Sequence, residues 1–359
     1  MLSNVLIIGV GLIGGSLGLA LKESPLVKKV SGVDNDSESL KKALEIGAID
    51  DSALLEDGVK EADVVFLCTS PGAYASIIER IKPHLKPNAI ISDVGSTKLE
   101  VMELLGNLPA GVSAIGGHPM AGSETQGING ADRYLFENAV YVLSPDASAT
   151  NEKLNYLKNL LETTGARIKI MEAKPHDELV ATISHIPHLL AAALVNLTGG
   201  ESNSLMMAAG GFRDTTRIAS SNPELWLDIL FSNRSCLPEK LDDIMDIINN
   251  MKKALENNDR ELMQQELSSA KAIRDKIPHT RKGLIPGFSD IVCIVPDRPG
   301  IIGKLGLIMD KVNINIVDIE ILRVREGDGG TIRLGVPTLE DAHRAVAALQ
   351  AEAIKAWVR

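Results

Sequence analysis

Short runs of apolar, β-branched residues alternate with helix-length segments along the first half of the chain: 4–9 (NVLIIG), 30–34 (VSGVD), 63–68 (DVVFLC), 89–94 (AIISDV) and 112–117 (VSAIGG). That alternation predicts βαβ units around a buried parallel sheet. Two more strands, 139–144 and 166–171, complete the unit with a helix over 151–163 between them. Beyond residue 172 the strand signal stops. Leu179, Ile183, Ile186, Leu190, Ala193 and Leu197 recur at steps of 4, 3, 4, 3 and 4, the apolar face of one long helix, and Leu241, Ile244, Met245, Ile248, Met251 and Leu255 repeat the device. Stripes this long need partners, and a second copy of the chain is a natural source, so a homodimer is expected. Residues 276–288 (KIPHTRKGLIPGF) have no periodicity, and the linker is placed at 281–287. The pattern then restarts as strand 289–296, helix 299–311, strands 313–324 and 330–336, helix 338–350 and strand 354–358, in the order βαββαβ. The expected fold class is therefore α/β, in three parts: a Rossmann-type dinucleotide-binding domain (1–171), an all-α substrate and dimerisation domain (172–280), and a small βαββαβ domain (288–359).

Composition narrows the partners. The chain has 359 residues, and 37 Lys and Arg against 47 Asp and Glu leave a net charge of −10. An acidic protein without an aromatic-interleaved basic run has no evident surface for nucleic acid or anionic membrane. Apolar stretches such as 4–10 and 189–197 fall short of the ~20 residues that cross a bilayer, so no membrane span is expected. The N-terminus lacks a basic segment and runs straight into a strand, which makes the cytosol the default compartment. Cys68, Cys236 and Cys293 are odd in number and widely spaced; they read as small buried thiols, with no disulfide framework and no metal site expected.

The loop Gly9-Val10-Gly11-Leu12-Ile13-Gly14 follows the first strand and opens the first helix. Gly9 permits the tight turn, Gly11 lets backbone approach a pyrophosphate, Gly14 allows close helix–strand packing, and the helix N-terminus, with Leu12 and Ile13, offers N–H donors to the anion. Asp34, at the end of the second strand and 20 residues after Gly14, suits the ribose hydroxyls and would repel a 2′-phosphate. The cofactor expected is NAD rather than NADP. The alternative is a turn or helix-capping Asp ahead of Ser37. Thr69 and Ser70, after the third strand, are further candidate cofactor contacts.

Residues 116–124 (GGHPMAGSE) stand at the carboxyl end of the fifth strand, where doubly wound sheets bind ligands. His118 there can accept the proton of a substrate hydroxyl as hydride leaves the same carbon. In 93–98 (DVGSTK), Ser96 is either an N-cap or a partner of substrate or His118. Ser184 and His188 share a helix face, and Pro187 between them should kink the helix and bare a carbonyl, making a polar pocket. His185 reads as a packing residue outside the site. Arg217, in 210–217 (GGFRDTTR), is either a fork for a substrate carboxylate or a surface partner of Asp214. His84, His176, His279 and His343 fall in turns, linker or helix surface and carry no readable signal.

Taken in order, 9–16 (GVGLIGGS), 92–98 (SDVGSTK), 116–124 (GGHPMAGSE), 184–188 (SHIPH) and 210–219 (GGFRDTTRIA) resemble the prephenate/arogenate dehydrogenase family of tyrosine biosynthesis, over residues 1 to about 280. The resemblance implies NAD-dependent oxidative decarboxylation of prephenate to 4-hydroxyphenylpyruvate. In it His118 deprotonates the ring hydroxyl with Ser96 hydrogen-bonded nearby, Arg217 binds a carboxylate, and Ser184 with His188 orients the substrate. Glu124 belongs to the polar network, and Gly210 with its neighbours reaches the adjacent subunit's pocket. Arogenate is the alternative substrate. The tail, through 294–305 (IVPDRPGIIGKL) and 313–321 (NINIVDIEI), is similar to an ACT regulatory domain, which implies L-tyrosine as regulator. Two rivals are a β-hydroxyacid dehydrogenase, whose helical domain carries a catalytic lysine where this chain has Ser184 and His188, and a non-enzymatic NAD-dependent amino-acid sensor.

Overall fold

The computed structural model describes residues 2–122, 125, 127–277, 289–296, 298–322 and 330–358. Glu124 and the linker 281–287 lie outside the described residues. The chain divides into two units, Met1–Lys271 and Ala272–Arg359.

In the first unit β1 (Ser3–Ile8), β2 (Val27–Val33), β3 (Asp51–Ser52), β4 (Val64–Leu67), β5 (Ile90–Asp93), β6 (Ser113–Pro119), β7 (Val140–Pro145) and β8 (Arg167–Ile170) form one sheet in the order β3-β2-β1-β4-β5-β6-β7-β8. Successive residues of β1 face opposite ways. Val5 and Ile7 enter a core with helices Leu12–Leu21 and Asn151–Glu162, while Leu6 and Ile8 enter another with Tyr74–Ile81 and Leu99–Leu105. A sheet covered on both faces explains why its strands read as unbroken apolar runs.

Three features depart from the sequence reading. The edge strand β3 is two residues long and carries no apolar run. The β6–β7 pair is antiparallel, with Ile115 opposite Pro145 and Pro119 opposite Tyr141. Among the described residues the connection between them holds only the short turn Ile128–Gly130, whereas a parallel crossover needs a helix-length return; helix Asn151–Glu162 supplies one, and β7 and β8 pair in parallel. Finally, β6 continues to Pro119, so His118 stands within the strand's last residues rather than after it.

The helical region opens with an unbroken run: α-helix Ala173–Val180, a π turn Ala181–His185, and α-helix Ile186–Leu197. Pro187 has no N–H to return to the Ile183 carbonyl, and the wider π turn absorbs that loss where a sharp kink was expected. The combined 25-residue helix is long and apolar enough to cross a membrane by length and composition, contrary to expectation. A third of its apolar window is buried, and His176, Asp177, His185 and His188 on it pack against other parts of the first unit.

The predicted stripe is split: Ile186 is buried and Leu190 packs against the core beside it, while the other members face out. Val180, Ala181, Ile186 and Ala191 point inward, whereas Leu179, Ile183 and Leu197 are exposed, Leu197 at 83%. Helix Leu237–Glu256 behaves alike: Leu241 and Ile244 pack onto Ala181, Ile186, Cys236 and Leu237, while Met245, Ile248 and Leu255 face out. So small a core cannot hold a hundred-residue helical region together, and the exposed stripes constitute the apolar surface expected at an interface.

The second unit, taken by itself, is β9 (Ser289–Val295), helix Ile301–Lys311, β10 (Asp318–Leu322), β11 (Gly330–Val336), helix Leu339–Ala351 and β12 (Lys355–Val358). Its antiparallel sheet has the order β10-β11-β9-β12. Ile291, Cys293, Ile332 and Leu334 on one face pack against Leu305, Met309 and Leu349 of the helices. The first of the two middle strands starts at Asp318, five residues later than expected, because Asn313 adopts a left-handed conformation, φ 54°, at the helix exit.

Candidate active site

At the nucleotide end, Gly9 adopts φ +98°, and a Cβ there would lie 2.7 Å from the Cys68 carbonyl carbon. A Cβ on Gly14 would run into the Gly9 carbonyl oxygen, whereas one on Gly11 would meet nothing within 4 Å. Two glycines thus draw strand and helix together and the third faces open space, the arrangement a pyrophosphate requires. Helix Leu12–Leu21 has no side-chain cap, so its first N–H groups remain donors for an anion. Asp34 accepts the Val10 N–H at 2.8 Å and the Asp36 N–H at 2.9 Å, which fixes its carboxylate beside the loop. The helix that follows is capped by Asp36, not Asp34. Thr69 and Ser70 lie just past β4, on the same sheet edge. These residues fit NAD: N–H donors for the pyrophosphate and an acceptor for the ribose. Asp34→Ser is expected to raise KM for NAD about 10- to 100-fold, the equivalent of a charged hydrogen bond, and to narrow the discrimination against NADP; initial rates with both cofactors measure it.

Further along that edge a cavity of about 250 Å³ is lined by Ser96, His118, Met120, Ser184, His185 and Trp226, among others. Beneath it lies a buried polar network. Lys98 is fully buried; its Nζ donates to Asp93 Oδ2 at 2.5 Å and to the Gly117 carbonyl at 2.6 Å. Asp93 also accepts the N–H of Gly95 and of Gly117, at 2.8 and 2.9 Å. Loop 93–98 is thereby clamped to the strand that carries His118. Thr97 ties the loop to Ser232 of helix Pro223–Ser232 at 2.8 Å.

His118 Nδ1 lies 2.8 Å from His176 Nε2, and His176 Nδ1 lies 2.7 Å from Asp177 Oδ1. Asp177 accepts the N–H of Lys98 and Leu99, at 2.7 and 2.8 Å, and so caps helix Leu99–Leu105 from another element. Ser96 is therefore not the cap; it lines the cavity with His118. Asn233 donates to the Asp177 carbonyl at 2.9 Å and, from the same amide nitrogen, to His185 Nδ1 at 3.1 Å. With Nδ1 accepting, the neutral His185 carries its proton on Nε2. His188 stacks on Trp226, centroids 3.5 Å apart, and His185 meets the same ring edge-on.

Burial, and then the nearby Lys98 cation, hold the His118 imidazole well below its ordinary value of 6.5, so it is neutral at pH 7. Burial also lowers His185, to about 4, and His188. Neutral imidazoles can both accept and donate, which a proton-transfer site needs.

His118, Ser96 and Ser184 come together as the sequence suggested. His188 contributes through Trp226 rather than as a lining residue. Arg217 and Gly210 are exposed and stand outside the cavity's lining in the single chain. His185, set aside as a packing residue, lines the cavity, and His176, assigned to a turn or surface, is buried at its base. One sequence signal could have exposed part of this. Asp177, Ala181, Ser184 and His188 recur at steps of 4, 3 and 4, a stripe carrying polar groups beside the leucine stripe.

A GxGxxG loop with an aspartate closing the second strand, sharing a sheet edge with a histidine-lined cavity, defines an NAD-dependent oxidoreductase. Residues 17–170 match the nucleotide-binding domain of prephenate dehydrogenase and 172–269 its dimerization domain. The chain belongs to the prephenate dehydrogenase family. It is 38% identical to the prephenate dehydrogenase of Bacillus subtilis, over 98% of this chain and 97% of that protein, and 33% identical to that of Lactococcus lactis, over 96% of each. Among solved structures, the prephenate dehydrogenase of Aquifex aeolicus in complex with hydroxyphenyl propionate and NAD+ is 30% identical, with a TM-score of 0.72 over 77% of this chain and 99% of that one. The Synechocystis arogenate dehydrogenase is 33% identical, with a TM-score of 0.69 over 77% and 100%.

Proposed function

We propose that the chain catalyses NAD-dependent oxidative decarboxylation of prephenate to 4-hydroxyphenylpyruvate, in tyrosine biosynthesis. The observation that carries this reading is His118, neutral and half-buried at the sheet's carboxyl edge, with its Nδ1 engaged by His176 and its ring lining the cavity. NAD, when bound, supplies the hydride acceptor. His118 Nε2 takes the proton of the ring 4-hydroxyl; loss of that proton and of the C4 hydride leaves a ketone-like ring, which expels CO2 and becomes aromatic. Ser96 and Ser184 offer hydroxyls, and His185 an N–H, to the same cavity. Arg217 is assigned to a substrate carboxylate, with Gly210 and its neighbours serving the pocket of the adjacent subunit of a homodimer. Glu124 is assigned to the polar network on the resemblance alone. Ser184 and His185 in place of a helical-domain lysine argue against a β-hydroxyacid dehydrogenase.

NADH absorbance measured with prephenate and with arogenate tests the reading. Turnover of prephenate with the larger kcat/KM is expected. Preference for arogenate would make the chain an arogenate dehydrogenase, like the Synechocystis protein, and no NADH with either would overturn the proposal.

The second unit is read as an ACT-type regulatory domain that senses L-tyrosine. Its βαββαβ order supports this, as does a cavity of about 690 Å³ lined by Pro296, Arg298, Gly300, Ile302 and Ile321 at the start of an uncapped helix. Arg298 and the first-turn N–H groups suit an amino acid's carboxylate. Deleting residues 288–359 is expected to leave NADH formation intact, since the Aquifex and Synechocystis structures are matched almost completely by 77% of this chain, and to abolish most tyrosine inhibition. Unchanged inhibition would put the sensor elsewhere.

A further inference from the structure

We propose that Asp177 and His176 are positioning residues that set the tautomer of His118, holding its proton on Nδ1 and leaving Nε2 as the acceptor. The inference deepens, and rests on, the reading of His118 as the base.

It follows from which groups can only donate. The Lys98 and Leu99 N–H groups point one at each oxygen of Asp177, so both oxygens act as acceptors. His176 Nδ1, 2.7 Å from Oδ1, must then supply the proton of that contact. With a proton on Nδ1 and none on Nε2, His176 presents a lone pair, and His118 Nδ1 stands 2.8 Å from it. That contact is a hydrogen bond only if His118 Nδ1 donates, which strips Nε2 of its proton.

The surroundings keep this order. Asp177 and His176 are fully buried, so water does not compete for either contact. The charged and titratable groups facing His118 are Lys98, His176 and His185, with Asp93 behind Lys98. The Lys98 cation and the two imidazoles disfavour a proton on His118, and Asp93 offsets part of the Lys98 charge. Asn233 joins Asp177 to His185, whose own tautomer is opposite. One imidazole thus accepts and the other donates toward the same cavity.

Asp177→Asn is the test, read by kinetics and by the ring 15N resonances of His118, assigned by their loss in His118→Asn. The amide has one acceptor oxygen for the three donors the carboxylate serves, the Lys98 and Leu99 N–H groups and His176 Nδ1, so the hold on the His176 Nδ1 proton weakens and the proton of His118 is no longer confined to Nδ1. The expected result is a fall in kcat of about 10²–10⁴-fold, with KM for prephenate and NAD changed less than about threefold. His176→Gln, whose amide can donate to Asp177 and accept from His118, should exceed His176→Leu in kcat by at least about tenfold. A merely structural role would not separate Gln from Leu in kcat while KM stayed level. In the unaltered enzyme, His118 Nε2 should resonate as an unprotonated nitrogen. A protonated Nε2 there overturns the inference whatever the turnover, and decides it even if the variants do not fold. Wild-type kcat in Asp177→Asn overturns it too. An unprotonated Nε2 in an enzyme inactive on prephenate would sink the substrate reading instead and leave the relay standing.

Discussion

His118→Asn is expected to lower kcat by about 10²–10⁴-fold while KM for NAD stays near its original value, because the proton acceptor is lost and the nucleotide loop is untouched. Asparagine can still bond His176, so the fold around β6 should survive, and an unchanged melting temperature serves as the control. Stopped-flow NADH absorbance with saturating prephenate measures the effect. The pH profile of the unaltered enzyme is linked to the same group. Burial and the Lys98 cation depress the His118 pKa, so the base stays deprotonated as pH falls through 6.5, and the acid limb of kcat should appear only at lower pH. A limb centred at 6.5 or above would mean that another group takes the proton.

Lys98→Met is expected to cost about 3–5 kcal/mol of stability. It removes the cation from a fully buried pair and leaves Asp93 with backbone N–H partners alone. For a unit of this size that is a fall in melting temperature of roughly 10 °C, seen by calorimetry with and without NAD. Burial lowers the Lys98 pKa while Asp93, and to a lesser degree Asp177, oppose it, so the ammonium depends chiefly on the Asp93 carboxylate. Where Lys98→Met folds, the kcat acid limb should move to higher pH, because His118 has lost the neighbouring charge that opposed its protonation. Together the two substitutions separate proton transfer from the scaffold that aims it: the first removes turnover without melting the fold, and the second weakens the fold and moves the pH limb.

The amino-acid order by itself determined the βαβ alternation, the helical stretch that follows it, the restart of strands near the end of the chain, the glycine loop with Asp34, and His118 at the end of a strand. Each of these is local. A strand buried on both faces is a run of apolar residues, and a GxGxxG turn is dictated by the φ angles and close approaches of its own backbone. The direction of β7 was not read from the sequence, because apolar runs carry no sense of direction and only the pairing displays it. What the tertiary structure alone decided is the company His118 keeps. Lys98, His176, Asp177, His185 and Asn233 come from a loop, the long helix and a third element far along the chain, and beyond the polar stripe through Asp177 nothing in the sequence says that they meet. Buried polar groups must find partners wherever the packed elements bring donors and acceptors within 3 Å, and that depends on a three-dimensional arrangement that no local periodicity encodes. The leucine stripe makes the same point in reverse: its spacing was read correctly, but which face of a helix turns inward is set by what packs against it, here the polar stripe bearing Asp177 and His188.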